Sequence, residues 1–475
     1  MTAIEAVPSM GLDGLASSAY GPEAALTILI PAGARGLHVI TPIMVAILVL
    51  LAMLCLSYWQ TIEAYPSNGG SYTVAKENLG ADAGLLAAAA LMIDIDYVLK
   101  VAVGISAGIA ALTSAIPQLH PYTLELCLAV LALITIVVNL RGTLEADLVF
   151  SVPTYLFIAS VGGLLLFGFA KAIMSSGHPT PIMAPPPLSP TKEGARWWLL
   201  LRAFASGCTA MTGVEAVSNG VSAFREPRVK HAHRTLAAIV LVLGMLLAVI
   251  AYLAHAYSVG AMDQTQPNYQ SVLSQLAGAI VGRGAIYFVA IGSLLAMLCL
   301  SANTSFVDFP RLCRLVAQDE YLPRAFAMPG RRLVYSVGIL WLAVTAGLLL
   351  TVFGGITDRL IPLFAVGAVT AFTLSQLGMA AHWLRQRGKR MRLIINGTGA
   401  AATGCALAVI LAAKFLEGGW ITALVIPWVL ALLKAIRRHY RMIERLLREE
   451  RPLDLRGVRT PIVIIPFAHW DGLAE

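Results

Sequence analysis

Residues 206-SGCTAMTGVEAVSNG-220 are a run of glycine, serine, threonine and alanine holding one acid, Glu215, in a chain whose other long segments are mostly apolar. An ionised group at bilayer depth is expensive, and it normally faces a cavity or a pathway. The stretch 10-MGLDGLASSAYGPEAA-25 has the same composition and carries Asp13. Both read as discontinuous helices. Transporters built from inverted repeats place such helices at matching positions in their two halves, with the site near the midplane.

Working outward, the chain of 475 residues is 58% hydrophobic and 13% charged, with a mean hydropathy of +0.77. These values mark an integral membrane protein. Apolar runs long enough to cross a core of roughly 30 Å recur about twelve times. They cover 8–31, 39–58, 82–114, 122–140, 147–172, 197–223, 233–258, 272–305, 333–353, 359–384, 393–414 and 418–436. The two unusual stretches fall in the first and sixth runs, the offset of a five-plus-five inverted repeat. The expected fold is therefore all-α, with about twelve transmembrane helices of which helices 1 and 6 are discontinuous. No segment has a signal-peptide layout, so the first span is expected to remain in the mature protein.

The net charge of +8 is a matter of topology rather than of nucleic-acid binding. Lys76, Arg141, the group Arg225 to Arg234, the group Arg311 to Arg332 and the group Arg385 to Arg392 all follow even-numbered spans. Connections after odd-numbered spans carry few basic residues, chiefly Arg35, Lys192, Arg196 and Arg359. The positive-inside rule then puts both termini in the cytoplasm, in an inner-membrane multi-pass protein. The transporter domain is expected over 1–436. Residues 437–475 follow as a cytoplasmic basic helix and short tail, with 437-RRHYRMIERLLREER-451 lying near anionic lipid. The six cysteines show no paired or metal-type spacing and read as small core residues.

Four groups carry the candidate chemistry. Asp13 and Tyr20 are two helical turns apart, so they share a face if the helix is continuous; if it unwinds, freed carbonyls join them in an oxygen-rich cation site. In 93-IDIDYVLKVAVGISAG-108, Asp96 and Lys100 stand i, i+4 and can neutralise each other, while Tyr97 and Ser106 add hydroxyls. On the sixth span, Thr209, Thr212 and Glu215 form a polar stripe, and a carboxyl there is suited to carrying a proton. In 301-SANTSFVDFPRL-312, Asn303, Thr304 and Ser305 offer a second polar lining, and Asp308 with Arg311 reads as an ion pair. His255 reads as a satisfied core residue. Nothing resembles a nucleotide loop, a nucleophile motif or a zinc spacing, so an enzyme is not expected.

These residues resemble the amino acid-polyamine-organocation (APC) superfamily and, more narrowly, its KimA-type potassium importers. The resemblance rests on 13-DGLASSAYGPEA-24, 64-AYPSNGGSYTVAKENLG-80, 96-DYVLKVAVGISAG-108, 207-GCTAMTGVEAVSNGVSAF-224, 303-NTSFVDFPRL-312 and 361-IPLFAVGAVTAFTLSQ-376. It implies the LeuT-like five-plus-five fold. It also implies that Asp13, Tyr20, Asp96, Tyr97, Ser106 and Thr212 line a potassium path and that Glu215 serves proton coupling. Two positions depart from the potassium pattern: Lys100 stands where it has a threonine, and Phe364 where it has a tyrosine. An ammonium at that place competes with potassium for the same oxygens, and Phe364 removes an oxygen.

The resemblance further implies a cytosolic domain, with nucleotide regulation and dimerisation, after the last helix. The run 461-PIVIIPF-467 reads as its first strand, and the expectation is a truncated or degenerate tail. The functional expectation is a proton-coupled symporter importing a small cationic solute, potassium first, with an amino acid or organic amine permease as the alternative. A non-transporting sensor or channel-like protein is the reading from another class. No cofactor is expected and the coupling ion is the proton. The expected partners are the solute, membrane lipids and a second copy in a homodimer, with no nucleic acid.

Overall fold

An apolar chain inside a bilayer has no water to bond its backbone, and helices satisfy every peptide group within the segment. The computed structural model describes residues 1–66, 69–91, 97–140, 146–191, 196–328, 335–386, 388–415 and 419–447, and all its regular elements are helical. In chain order they are α1 (Ala3–Leu29), α2 (Ala34–Ala64), the short α3 (Ser71–Leu79) and α4 (Ala81–Ala89), α5 (Tyr97–Ala115), α6 (Thr123–Leu133), α7 (Ala146–Phe157) and α8 (Gly163–Met174). There follow α9 (Trp197–Gly207), α10 (Ala216–Asn219), α11 (Arg228–Ala256), α12 (Val272–Val281), α13 (Ala285–Gln318), α14 (Ser336–Phe353), α15 (Thr357–Arg385), α16 (Arg390–Lys414) and α17 (Gly419–Leu447).

Nine helices among the described residues are long and apolar enough to cross a membrane. With α1, the interrupted span α9–α10 and α17, they account for the twelve expected runs. The protein is an integral, multi-pass membrane protein. Its helices present large apolar side chains such as Leu241, Val344 and Leu348 outward, where lipid tails replace water as the neighbour.

The sixth span is broken as its sequence predicts. After α9 the chain makes a tight 3₁₀ turn over Cys208–Met211, Thr212 is extended, and Gly213 has φ +87° before the single turn of α10. That φ lies in the left-handed region, where glycine carries no steric cost.

The first span is a correction. Helix α1 is continuous from Ala3 to Leu29 in spite of Pro8 and Pro22. Its small residues serve contact rather than interruption: a Cβ on Gly21 would stand 2.4 Å from the Cβ of Ala210, and one on Gly14 3.3 Å from Ile239 and 3.8 Å from the Gly213 carbonyl carbon. Its hydroxyls are satisfied along the helix, since Ser18 Oγ donates to the Leu15 carbonyl at 2.6 Å.

One expected run divides: 272–305 splits into α12 and α13 at Gly282, whose φ of +71° caps α12, and α13 continues to Gln318. In the expected run 82–114, α4 and α5 lie on either side of 92–96, which are outside the described residues. The limit drawn at 436 falls inside α17, because nothing between Lys434 and Leu447 interrupts a helix. The tail from 448 on, including 461–467, lies outside the described residues. His255 is exposed rather than core, and its Nε2 meets Nδ1 of His38 on α2 at 3.0 Å. Cys127, Cys208 and Cys313 are buried as expected, whereas Cys405 is exposed.

The close approach of α1 to the broken span is directly testable. Gly21→Ala should lower stability by about 1–3 kcal/mol through overpacking against Ala210. Gly244→Ala, whose added methyl meets one side-chain atom at 3.6 Å, should change little, with both variants compared by thermal unfolding in detergent.

Candidate functional site

The break in the sixth span leaves backbone groups without helical partners, and α1 supplies some of them. Ser17 Oγ lies 2.7 Å from the Ala210 carbonyl oxygen. Thr212 Oγ1 donates to the Thr209 carbonyl at 3.0 Å, and the Tyr20 hydroxyl meets Thr212 Oγ1 at 3.0 Å. Gly213 is required on steric grounds as well, since a Cβ there would fall 2.4 Å from Asp13 Oδ2.

Asp13, Lys100 and Glu215 converge at this break. Lys100 Nζ lies 2.7 Å from Asp13 Oδ2 and donates to Glu215 Oε1 at 3.2 Å. Asp13, Lys100 and Glu215 are respectively 2%, 5% and 4% exposed. The ammonium also stands 5.7 Å from the centre of the Tyr97 ring, within cation–π range. Lys100 thus ties α5 to both α1 and the sixth span. The carboxylate oxygen Glu215 Oε2 is buried with no hydrogen-bond partner among the described residues, and Asp13 Oδ2 has its ionic contact with Lys100 but no hydrogen bond of its own.

The remaining candidates divide. Asp96, and with it the expected i, i+4 partner of Lys100, lies outside the described residues. Thr209 donates to the Ser206 carbonyl at 2.7 Å within the 3₁₀ turn, and because the chain becomes extended at Thr212, no continuous α-helical stripe joins it to Thr212 and Glu215. Ser106 donates to the Val103 carbonyl at 3.1 Å and accepts from Thr357 at 2.9 Å. Phe364 is fully buried, edge-on to the Tyr20 ring with centroids 6.3 Å apart.

The expected second lining is dispersed. Asn303 accepts from Asn139 at 2.7 Å, Thr304 donates to the Ser301 carbonyl at 2.7 Å, and the Ser305 hydroxyl is buried without a hydrogen bond. Consecutive residues on a helix point in different directions, so three in a row cannot line one wall. Asp308 and Arg311 do pair, at 3.6 Å.

The space on the two sides of the site differs, and neither cavity is lined by Asp13, Lys100 or Glu215. A cavity of about 420 Å³ lined by Tyr72, Tyr97, Asn219, Asp308 and Arg311 opens toward the end of the bundle where the arginines gather, here the basic end. Toward the opposite end, the space beyond Tyr20 shrinks to about 20 Å³ between Glu23, Tyr269, Thr357 and Asp358. Tyr269 closes it by donating to Glu23 Oε1 at 2.6 Å.

Helix α3 lies across the basic-end cavity. Tyr72 and Lys76 both bond to Asp319 Oδ2 at the end of α13, and Ser218 of α10 donates to the Gly69 carbonyl at 2.8 Å. Burial, then the bond to Asp319, push the Tyr72 phenol up from its ordinary pKa, so it remains a donor at any physiological pH. Sequence reading missed these residues. Glu23 follows Tyr20 by three and Lys76 follows Tyr72 by four, spacings that put each pair on one helix face; Asp319 and Asp358 gave no such local signal.

The amino acid permease family matches residues 14–431, which hold the interrupted span with Lys100 and Glu215 and begin one residue after Asp13. The chain belongs to this family. It is also 39% identical, over 98% of its length and 76% of the relative's, to the potassium transporter KimA of Bacillus subtilis strain 168. The family accounts for the all-helical, LeuT-like architecture, and the match includes α3 with its latch to Asp319.

Removing one partner of a buried ion pair costs about 3–5 kcal/mol, because the other charge is left uncompensated. Lys100→Thr should therefore melt lower in potassium-free buffer. It should regain stability as potassium chloride, but not choline chloride, is titrated, since the vacated place lies between two carboxylates. A melting temperature indifferent to potassium would show that the space cannot hold the ion.

Proposed function

We propose that the chain imports potassium together with protons by alternating access, α1 and the sixth span moving against a scaffold that includes α5 and α13. The observation that carries this reading is the Asp13–Lys100–Glu215 cluster, with a buried Glu215 oxygen unpartnered beside it. The identity to a potassium transporter supplies the solute. The positive-inside rule assigns the basic end to the cytoplasm, so the larger cavity faces inward, with the buried cluster above it and both termini inside, in the plasma membrane.

The ion cluster supplies a rationale for coupling. With both acids ionised, Lys100 has two anchors and occupies the position a potassium ion would take. A proton on Glu215 removes one anchor and lets the ammonium withdraw. Asp13, Tyr20 and Thr212 then offer oxygens to potassium. Loss of the proton restores the pair and expels the ion, so lysine and potassium alternate on one carboxylate. No step needs a cofactor, and the chain acts as a transporter rather than as an enzyme.

Lys100 also favours a second reading within the same family. A cation fixed beside Asp13 neutralises the acid that would repel a carboxylate, so the site could receive an amino acid instead.

Uptake into proteoliposomes separates the two. Under an inward proton gradient, saturable rubidium flux should appear, and it should exceed the flux of any member of an amino acid panel. Glu215→Gln should abolish the dependence on the gradient while leaving rubidium exchange at equal pH within about tenfold of the parent, a change of about 1.4 kcal/mol in barrier. Saturable amino acid flux without rubidium flux would overturn the potassium assignment.

A further inference from the structure

The basic end carries a second charged feature away from the transport site. Beyond the lipid-facing Leu424 and Trp428, helix α17 continues with Lys434, Arg437, Arg438, Arg441 and Arg445. Steps of three and four gather these side chains on one side of the helix, and they wall a groove of about 780 Å³.

The groove is short of negative charge. Among its described lining residues the one acid is Asp82, which Lys434 already binds at 2.7 Å. None of the ion pairs among the described residues involves Arg438, Arg441 or Arg445. Arg437 is held in place: its guanidinium carbon sits 4.3 Å above the centre of the Tyr321 ring, and its Nε is buried without a hydrogen-bond partner among the described residues. Guanidinium groups fixed in this way match the oxygens of a phosphate.

Position selects among phosphate-bearing ligands. On α17 the groove begins at Lys434, next to the buried Leu433 and past the lipid-facing Trp428, and the exposed Met442 and Leu446 line it beside the arginines. Cations next to apolar side chains at that level suit a lipid headgroup with its first acyl carbons more than a free anion. Basic side chains there gain about 1 kcal/mol each from an anionic leaflet.

The groove also borders the α3 latch. Tyr321 is two residues beyond Asp319, and the Arg437 charge acts on Tyr72.

We propose that this groove binds the phosphate of an anionic phospholipid in the leaflet at the basic end, and that occupancy tunes how readily α3 releases Asp319. The site rests on the orientation assigned above and is independent of which solute is carried. A headgroup bridging Arg437 and Arg441 draws Arg437 from the Tyr321 ring, two residues from Asp319, so it acts on the latch without touching the transport site.

The test uses the full chain in nanodiscs of phosphatidylcholine with or without phosphatidylglycerol, analysed by native mass spectrometry and thermal unfolding. The parent should retain phosphatidylglycerol at least about fivefold over phosphatidylcholine, a difference of about 1 kcal/mol. R437Q/R441Q/R445Q should lose that preference, and the corresponding lysine variant should keep part of it. Arg441→Gln alone serves if the triple variant does not fold.

Equal retention by parent and glutamine variant would overturn the site. Stabilisation by inorganic phosphate in pure phosphatidylcholine, equal to that from phosphatidylglycerol, would overturn the lipid in favour of a free anion. Rubidium flux should depend on phosphatidylglycerol in the parent and not in the triple variant; a dependence that survives in the variant would overturn the link to the latch. Absence of rubidium flux in every lipid would count against the transport reading and leave the binding result standing.

Discussion

A lysine ammonium buried between two carboxylates on different helices is the interaction around which this protein is arranged. Bringing three charges out of water costs several kcal/mol each unless they neutralise one another at close range. Lys100 meets that condition by reaching from α5 to Asp13 and Glu215. The requirement fixes much nearby. Asp13 can stand against the sixth span because residue 213 is glycine, and Glu215 can turn toward Lys100 because the helix has come apart just before it.

The sequence disclosed the class of fold, the number of spans and the interrupted sixth helix, because hydrophobic length and a glycine-rich polar run are local properties. It misread α1 for the same reason. Composition alone does not separate a glycine that breaks a helix from one that lets a neighbour approach, and Gly14 and Gly21 are of the second kind while Gly213 is of the first. The lysine illustrates a different limit. Spacing rules find partners one turn away, and Glu215 is 115 residues from Lys100. Thr209 and the run Asn303 to Ser305 were assigned to linings on polarity, yet most of their polar groups are committed to local carbonyls or to Asn139.

The two ends of the pathway are held by different chemistry. At one end a phenol and a buried carboxylate, Tyr269 and Glu23, meet in a space the size of a single water. At the other, α3 hangs from Asp319 by a phenol and an ammonium and leaves a cavity open beside it. The second arrangement is partly solvated and borders a cationic groove, so its strength depends on surrounding charge. The first is buried and depends on contact.

The hydroxyl of Ser17 stands 2.7 Å from the Gly14 carbonyl of its own helix and 2.7 Å from the Ala210 carbonyl of the broken span, so its one proton is shared between them. With Gly21 packed on Ala210, this contact makes the two spans one packed body despite lying far apart in the chain. Sliding is then confined to the plane between that body and α5. Lys100 is the strut across this plane, and the reach of a single side chain limits how far the bundle tilts before the site changes sides.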